Sequence, residues 1–113
     1  MQDRARKYLF DVQAAYRLIQ QFTQGKTLEI YQADPLLRSG VERQFITIGE
    51  ALNQLLRLEP GLSGSITASK RIIAFRNYLI HGYPDISDDI VWGIIETNLP
   101  ALQDEVDRLL ELG

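Results

Sequence analysis

Apolar side chains recur every three or four positions along most of this chain, and no segment shows the sustained alternation that is typical of a β-strand. The spacing predicts a first helix over about residues 3–22, ended by Gly25. Thr27 can cap a short helix that runs to Ala33. The chain therefore begins with one long and one short helix.

Asp34 followed by Pro35 predicts the start of the next helix, because an acceptor at the cap and a proline at the first position both favour an N-terminus. This helix should reach Leu58, where Pro60 and nearby glycines break the pattern. Its apolar seam has alternating steps of four and three, as in helices that pack at a shallow angle: Val41, Phe45, Ile48, Leu52 and Leu55.

Two further helices complete the pattern. One spans about residues 67–80 and is stopped by Gly82 and Pro84, and the last is capped by Ser87 and should bend near Pro100. The sequence thus predicts an all-α fold: one domain over residues 1–113, built as an up-and-down four-helix bundle with an additional short helix.

Composition excludes several kinds of site. The chain has no cysteine and one histidine, which excludes disulfides, thiolate zinc sites and histidine-rich metal sites within one chain. It shows no signal peptide and no apolar run of membrane-spanning length, so we expect a cytoplasmic protein without a membrane partner.

Charge is distributed unevenly along the chain. The net charge of −3 argues against a protein that coats nucleic acid without selectivity. Residues 84–113 carry eight acids and one base, whereas residues 57–83 carry four bases and one acid. The basic part is either a phosphate-binding patch or a solvated helix face.

The chemistry-bearing residues concentrate in positions 76–83, which read Arg-Asn-Tyr-Leu-Ile-His-Gly-Tyr. His81 can move protons near neutral pH, Arg76 can hold phosphate oxygens as a bidentate fork, and Tyr83 can donate a proton or be modified. This combination suits phosphodiester chemistry without a metal ion. No cofactor is expected, because the chain has no glycine-rich phosphate loop and no paired-carboxylate pattern.

Each of these residues also has a purely structural interpretation. Arg76 falls among apolar positions of its helix and must find a carboxylate, a subunit interface or an anion. Its structural interpretation is a buried tie to an acid such as Glu50, which could at the same time support the site by aiming the guanidinium. His81 can be a helix-capping residue, and Tyr83 a packing aromatic. Asn77 can orient the His81 ring, contact phosphate or simply face solvent. Lys70 and Arg71 most simply form a solvated edge that helps to hold an anionic substrate.

The segment resembles the R-x4-H-x-Y motif of HEPN domains, matched at Arg76, His81 and Tyr83. The wider pattern is similar to the HepT-like family of that superfamily. The family's isoleucine-glycine-glutamate-alanine stretch matches residues 48–51, and its valine-tryptophan and leucine-proline pairs match residues 91–92 and 99–100.

The resemblance implies the toxin of a toxin-antitoxin system: a small, metal-independent ribonuclease that acts as a homodimer on RNA. Arg76 and His81 would be catalytic, with Asn77 supporting them. The implied partner is a minimal nucleotidyltransferase antitoxin that modifies Tyr83 with AMP. A second hypothesis keeps the same bundle and dimer as a non-catalytic module that holds a nucleotidyltransferase or a nucleotide.

Overall fold

The computed structural model describes residues 1–82 and 85–112, and every regular element in these ranges is a helix. The expected all-α fold class is therefore confirmed, with four long helices and one short one. A 3-10 helix, Pro60–Gly64, which the sequence pattern did not predict, follows the third helix. The α-helices are α1 (Asp3–Thr23), α2 (Leu28–Ala33), α3 (Pro35–Leu58), α4 (Ser69–His81) and α5 (Asp88–Leu112).

The predicted start and stop signals act as expected. The side-chain oxygens of Thr27, Asp34 and Ser87 each accept a hydrogen bond from the backbone N–H three residues on, at 3.2, 3.1 and 3.4 Å. Gly25, after the end of α1, has a φ of 72°, in the left-handed region that glycine adopts without strain. Local signals thus fix where α2, α3 and α5 begin.

The start of α4 differs from the expectation by two residues. Thr67 donates from its backbone N–H and its hydroxyl to the Glu105 carboxylate, at 3.1–3.2 Å, and so ties the approach to α4 onto α5. The helix therefore begins at Ser69. α5 continues past Pro100 as one helix, and the bend expected there stays a prediction.

α3 is the central element, because it packs against α1 on one side and α4 on the other. All five residues of its predicted seam are fully buried. α5 packs mainly on α1, where the buried Tyr16 hydroxyl donates to the Asp107 carboxylate. Burial raises the pKa of the Tyr16 phenol, and the negative charge of Asp107 raises it further.

The buried apolar side chains form one continuous cluster to which all five α-helices contribute. α4 lies along the edge of this cluster and buries Ile72, Phe75 and Leu79. In the ranges that the structure describes, no helix is long and apolar enough to span a lipid bilayer. The fold thus leaves one whole side of α4 available for the residues of the motif.

Candidate active site

α4 carries the predicted catalytic residues on its last two turns. Its final residue is His81, and Gly82 closes the helix with a hydrogen bond from its N–H to the Tyr78 carbonyl at 2.7 Å. Gly82 has a φ of −83°, so it is not the left-handed cap that a helix-ending glycine often forms. A Cβ atom there would lie 2.6 Å from the Tyr78 oxygen, which explains why glycine is needed. Tyr83, the expected modification site, lies outside the described residues.

Arg76 lies where α4 meets α3 and is held by two polar contacts. Its Nη2 is 3.6 Å from Oε1 of Glu50, and its Nη1 donates to Oδ1 of Asn77 at 2.8 Å. The contact with Glu50 that the structural interpretation proposed is therefore present, although the Arg76 side chain is 26% exposed. Its Nε is buried and, among the described residues, makes no hydrogen bond. The guanidinium is therefore positioned by Glu50 and Asn77. Its Nη2 is not among the buried polar atoms and makes no hydrogen bond with the described residues, so it is the donor left for a ligand.

Gly49 is the reason that Arg76 can approach α3 so closely. A Cβ atom at position 49 would lie 2.3 Å from Cβ and 2.7 Å from Cγ of Arg76. The stem of the arginine thus packs directly on the α3 backbone, and Glu50, the next residue, meets its charged end. The Gly-Glu pair of α3 sets both the position and the direction of Arg76.

His81 is exposed, and within residues 1–82 and 85–112 its ring forms no hydrogen bond. The capping interpretation therefore has no contact to support it. Because five residues separate Arg76 from His81 on a helix of 3.6 residues per turn, the two side chains leave α4 about 140° apart. One chain does not bring them onto the same face.

The other predicted site residues divide between two sides of α4. Lys70 and Asn77 are exposed and, by helical spacing, share the face of His81. Asn77 lies one turn before the histidine, whereas Lys70 lies at the other end of α4, about 16 Å away along the helix axis. Asn77 contacts Arg76 rather than His81, and so lies between the two. Arg71 lines a shallow apolar groove with Ile90 and Ile94 of α5, away from Arg76.

The guanidinium of Arg76 faces a groove of about 430 Å³ between α1, α3 and α4, which we call the α1–α3 groove. Tyr8 and Asp11 line it from α1, and Glu50 and Gln54 line it from α3. Its volume lies within the range of small-molecule sites. Arg76 is the predicted catalytic residue that lines this groove.

No group of three or more histidine, cysteine or carboxylate side chains within residues 1–82 and 85–112 is arranged to hold a metal ion. The two carboxylates near Arg76, Asp11 and Glu50, are instead engaged by cations. Asp11 accepts from the Lys7 ammonium at 2.9 Å, and Glu50 faces Arg76.

Sequence reasoning did not identify Gly49, Tyr8 or Asp11 as site residues. Gly49 could have been identified from the sequence. A glycine inside a long helix costs about 1 kcal/mol relative to alanine, which indicates that close packing excludes a side chain there. Tyr8 fits the apolar spacing of α1, which does not indicate a site, but it is only half-buried and lines the groove. The sequence does not predict the position of Asp11 in the groove, because that position depends on how α1 and α3 pack.

Comparison with known proteins gives a consistent assignment. Residues 12–109 match the family described as "Ribonuclease HepT-like". This chain belongs to that family. It is 27% identical to a protein of Thermococcus cleftensis named "Probable ribonuclease HepT", over 90% of this chain and 92% of that protein. The match covers α3, α4 and almost all of α5, and so includes every helix that positions Arg76 and His81.

Two further relatives are named as RNases. A "Putative RNase" of Caldanaerobacter subterraneus is 28% identical over 94% of both chains. A "Gamma-glutamylcyclotransferase and putative RNase" of Methanocaldococcus jannaschii is 25% identical over 92% of this chain, which corresponds to 46% of that longer protein. No solved structure matches the chain significantly. Family and relatives together support an RNase-type activity for this fold.

Proposed function

We propose that this protein is the toxin of a toxin-antitoxin system and acts as a metal-independent endoribonuclease. The observation that carries the proposal is the pairing, on the last turns of one helix, of a positioned arginine whose Nη2 is free to donate and an exposed histidine whose ring forms no hydrogen bond with the described residues. Membership of the ribonuclease HepT-like family supports the same activity. A purely structural helix would need neither group in this state.

The proposed reaction is attack of a ribose 2′-hydroxyl on the adjacent phosphorus. His81 takes the proton from that hydroxyl, or gives one to the departing 5′-oxygen, while the P–O5′ bond breaks and a 2′,3′-cyclic phosphate forms. Arg76 stabilises the negative charge that grows on the phosphoryl oxygens, and its fork matches two of them. Asn77, bonded to Nη1, limits the rotation of that fork.

The site is proposed to be complete only in a homodimer. Arg76 and His81 leave α4 in different directions, and the step needs two proton carriers, whereas each chain has one histidine. A two-fold axis that apposes the outer faces of two α4 helices supplies the second histidine. Ile80, which is 40% exposed and lies between the directions of Arg76 and His81 on the helix, gives the interface an apolar side chain to bury.

The test is to mix wild-type protein with the His81→Ala variant under conditions that allow subunits to exchange. We expect His81→Ala alone to lose RNA cleavage while it melts near the wild-type temperature, because the His81 side chain is exposed at the end of α4. An equimolar mixture should keep about a quarter of the activity that wild-type protein shows at the same total concentration. Random exchange leaves about one dimer in four with two histidines, and only these dimers would cleave RNA. Retention of about half would contradict a site that needs both histidines.

The proposed regulator is a minimal nucleotidyltransferase antitoxin that attaches AMP to Tyr83. Tyr83 follows the end of α4 by two residues, close in sequence to His81. An AMP group there adds a phosphate that can pair with the arginine that holds RNA, and a nucleoside that fills the substrate's place. The modification would thus block the site by charge and by volume without unfolding the bundle.

We predict that co-expression with a cognate nucleotidyltransferase adds the mass of one or more AMP units, measured on the intact protein. The Tyr83→Phe variant should lack the adduct, because its ring has no oxygen to modify, and Tyr78→Phe is the control that should keep it. An adduct that persists in Tyr83→Phe would disprove the assignment. Neutralisation without any adduct would indicate that the partner acts by masking.

A further inference from the structure

The charges around the α1–α3 groove differ from those of a channel that binds phosphate groups along its whole length. Arg76 lies at one wall, and its Nη2 is 3.6 Å from Glu50. The other two charged groups that bear on the groove are Asp11, which lines it, and Lys7, which is paired with Asp11 at 2.9 Å. Because carboxylates repel phosphate oxygens, a phosphate can be accepted only at the Arg76 wall.

The remainder of the groove offers what a nucleobase needs. Tyr8 lines it from α1 and provides an aromatic ring, against which unstacked bases of single-stranded RNA commonly pack. Asp11 and Glu50 provide carboxylate oxygens, which only accept hydrogen bonds. Oδ2 of Asp11 already accepts from Lys7 and Oε1 of Glu50 faces Arg76, but each carboxylate keeps lone pairs for a base. Gln54 adds an amide that can accept or donate. Its volume of about 430 Å³ lies in the range of small-ligand sites.

Acceptors in this arrangement discriminate between bases. Guanine presents two adjacent donors, N1–H and the N2 amino group, which match the two oxygens of one carboxylate. Adenine and cytosine present one amino group each. Uracil presents a single N–H between two carbonyl oxygens, which a carboxylate repels. A groove lined by Asp11 and Glu50 therefore favours guanine and disfavours uracil.

We propose that the α1–α3 groove is a base-binding subsite that holds the nucleobase next to the phosphate on Arg76 and selects guanine over uracil. Asp11 is then a specificity-determining residue and Tyr8 the surface on which the base packs. The inference rests on the proposed ribonuclease function, and it makes that function base-selective.

The experiment measures kcat/KM on single-stranded oligouridines that carry one guanosine, inosine or uridine at the same central position, with every cut mapped along the strand. Wild-type protein should cut beside guanosine about tenfold faster than at the matching uridine, the factor expected from one good bidentate contact. Inosine, which lacks the N2 amino group, should fall between them. Equal rates for the three substrates would overturn the proposal.

Two variants link the preference to the groove. Asp11→Asn should reduce the guanosine-to-uridine ratio to near one, and Tyr8→Leu should lower cleavage beside every base while keeping apolar bulk. The matched control is Asp104→Asn, which removes one exposed carboxylate from α5, outside the groove, and should leave the ratio unchanged. An Asp11→Asn ratio equal to that of wild type would overturn the proposal.

A binding measurement separates this inference from the proposed activity. GMP and UMP are titrated into the full chain, and the backbone amide signals of Tyr8, Asp11 and Gln54 are followed by NMR. If no RNA is cleaved, the ribonuclease proposal fails, and selective GMP shifts at these amides would still support the subsite. Absence of such shifts, or equal shifts with UMP, would overturn the subsite whatever the cleavage assay shows.

Discussion

Arg76 is held at both ends of its side chain, and this makes it more than a surface charge. Its stem packs on the α3 backbone at Gly49, and its guanidinium is bonded to Asn77 and faces Glu50. The pair with Glu50, whose side chain is 57% exposed, contributes little to stability by itself. The contacts chiefly set the direction of the fork.

Arg76→Lys should therefore lose nearly as much activity as Arg76→Ala. Lysine keeps the charge and the Cβ–Cγ stem that covers Gly49, but it cannot grip two phosphoryl oxygens at once. We expect RNA cleavage by both variants at least about 100-fold below wild type, the usual effect of removing one transition-state donor. The measurement is kcat/KM on RNA together with a thermal melt.

Arg57→Lys, an exposed position on the last turn of α3, is the matched control and should cleave like wild type. Substantial activity in Arg76→Lys would show that the residue acts only as a charge. If both Arg76 variants melted far below wild type, the tie to Glu50 would be the better explanation of the residue.

At the residue scale, the sequence predicts which side chains form the candidate site but not the directions in which they point. The motif named Arg76 and His81, and the link from Arg76 to Glu50 was anticipated as one alternative. The apolar positions around Arg76 are not uniformly buried, since Ile80 is 40% exposed and Ile73 is only partly buried. The apolar spacing of a helix predicts which side of it is buried on average. The exposure of a residue at the edge of that side depends on how the neighbouring helices pack.

At the element scale, the crossing of α3 and α4 depends on one glycine. The two helices touch where the missing side chain of Gly49 leaves room for Arg76, and a Cβ atom there would overlap its stem at 2.3 Å. α4 buries only one apolar side, so this contact decides its rotation and its distance from α3. The position of Arg76 and the packing of α4 on α3 therefore depend on the same contact.

Gly49→Ala should destabilise the protein by about 1–3 kcal/mol, the usual cost of overpacking, and should also lower RNA cleavage by displacing α4. Gly93→Ala is the matched control, because a Cβ atom on that exposed α5 glycine meets nothing within 4 Å. It should stabilise the fold by about 0.5–1 kcal/mol. Chemical denaturation measures both, and a neutral Gly49→Ala would contradict the proposed role of this contact.

The elements themselves were well predicted, since their limits depend on local chemistry. Caps at Thr27, Asp34 and Ser87 determine three N-termini within the chain, and all three were readable as acceptors before an apolar repeat. The start of α4 was misplaced because no local cap defines it. Its limit is set by the bond of Thr67 to Glu105, 38 residues away, which no local pattern reveals.

At the scale of the whole molecule, the bundle exposes two surfaces that bear on function. The outer face of α4 presents His81, Lys70 and Asn77, and the α1–α3 groove presents Arg76. The fold class followed from periodicity alone, but the groove could not, since it exists only where α1, α3 and α4 meet. The proposed homodimer would join the two surfaces into one site.

The most direct test of the proposed activity is cleavage of single-stranded RNA by the purified protein in excess EDTA, with the products identified by mass spectrometry. We predict unchanged rates in EDTA and a 2′,3′-cyclic phosphate end, because the proposed step uses only Arg76, His81 and the ribose 2′-hydroxyl. A substrate with 2′-deoxyribose at the cleaved position should resist. Cleavage that requires added magnesium or manganese, or that proceeds on the deoxyribose substrate, would contradict the proposed mechanism.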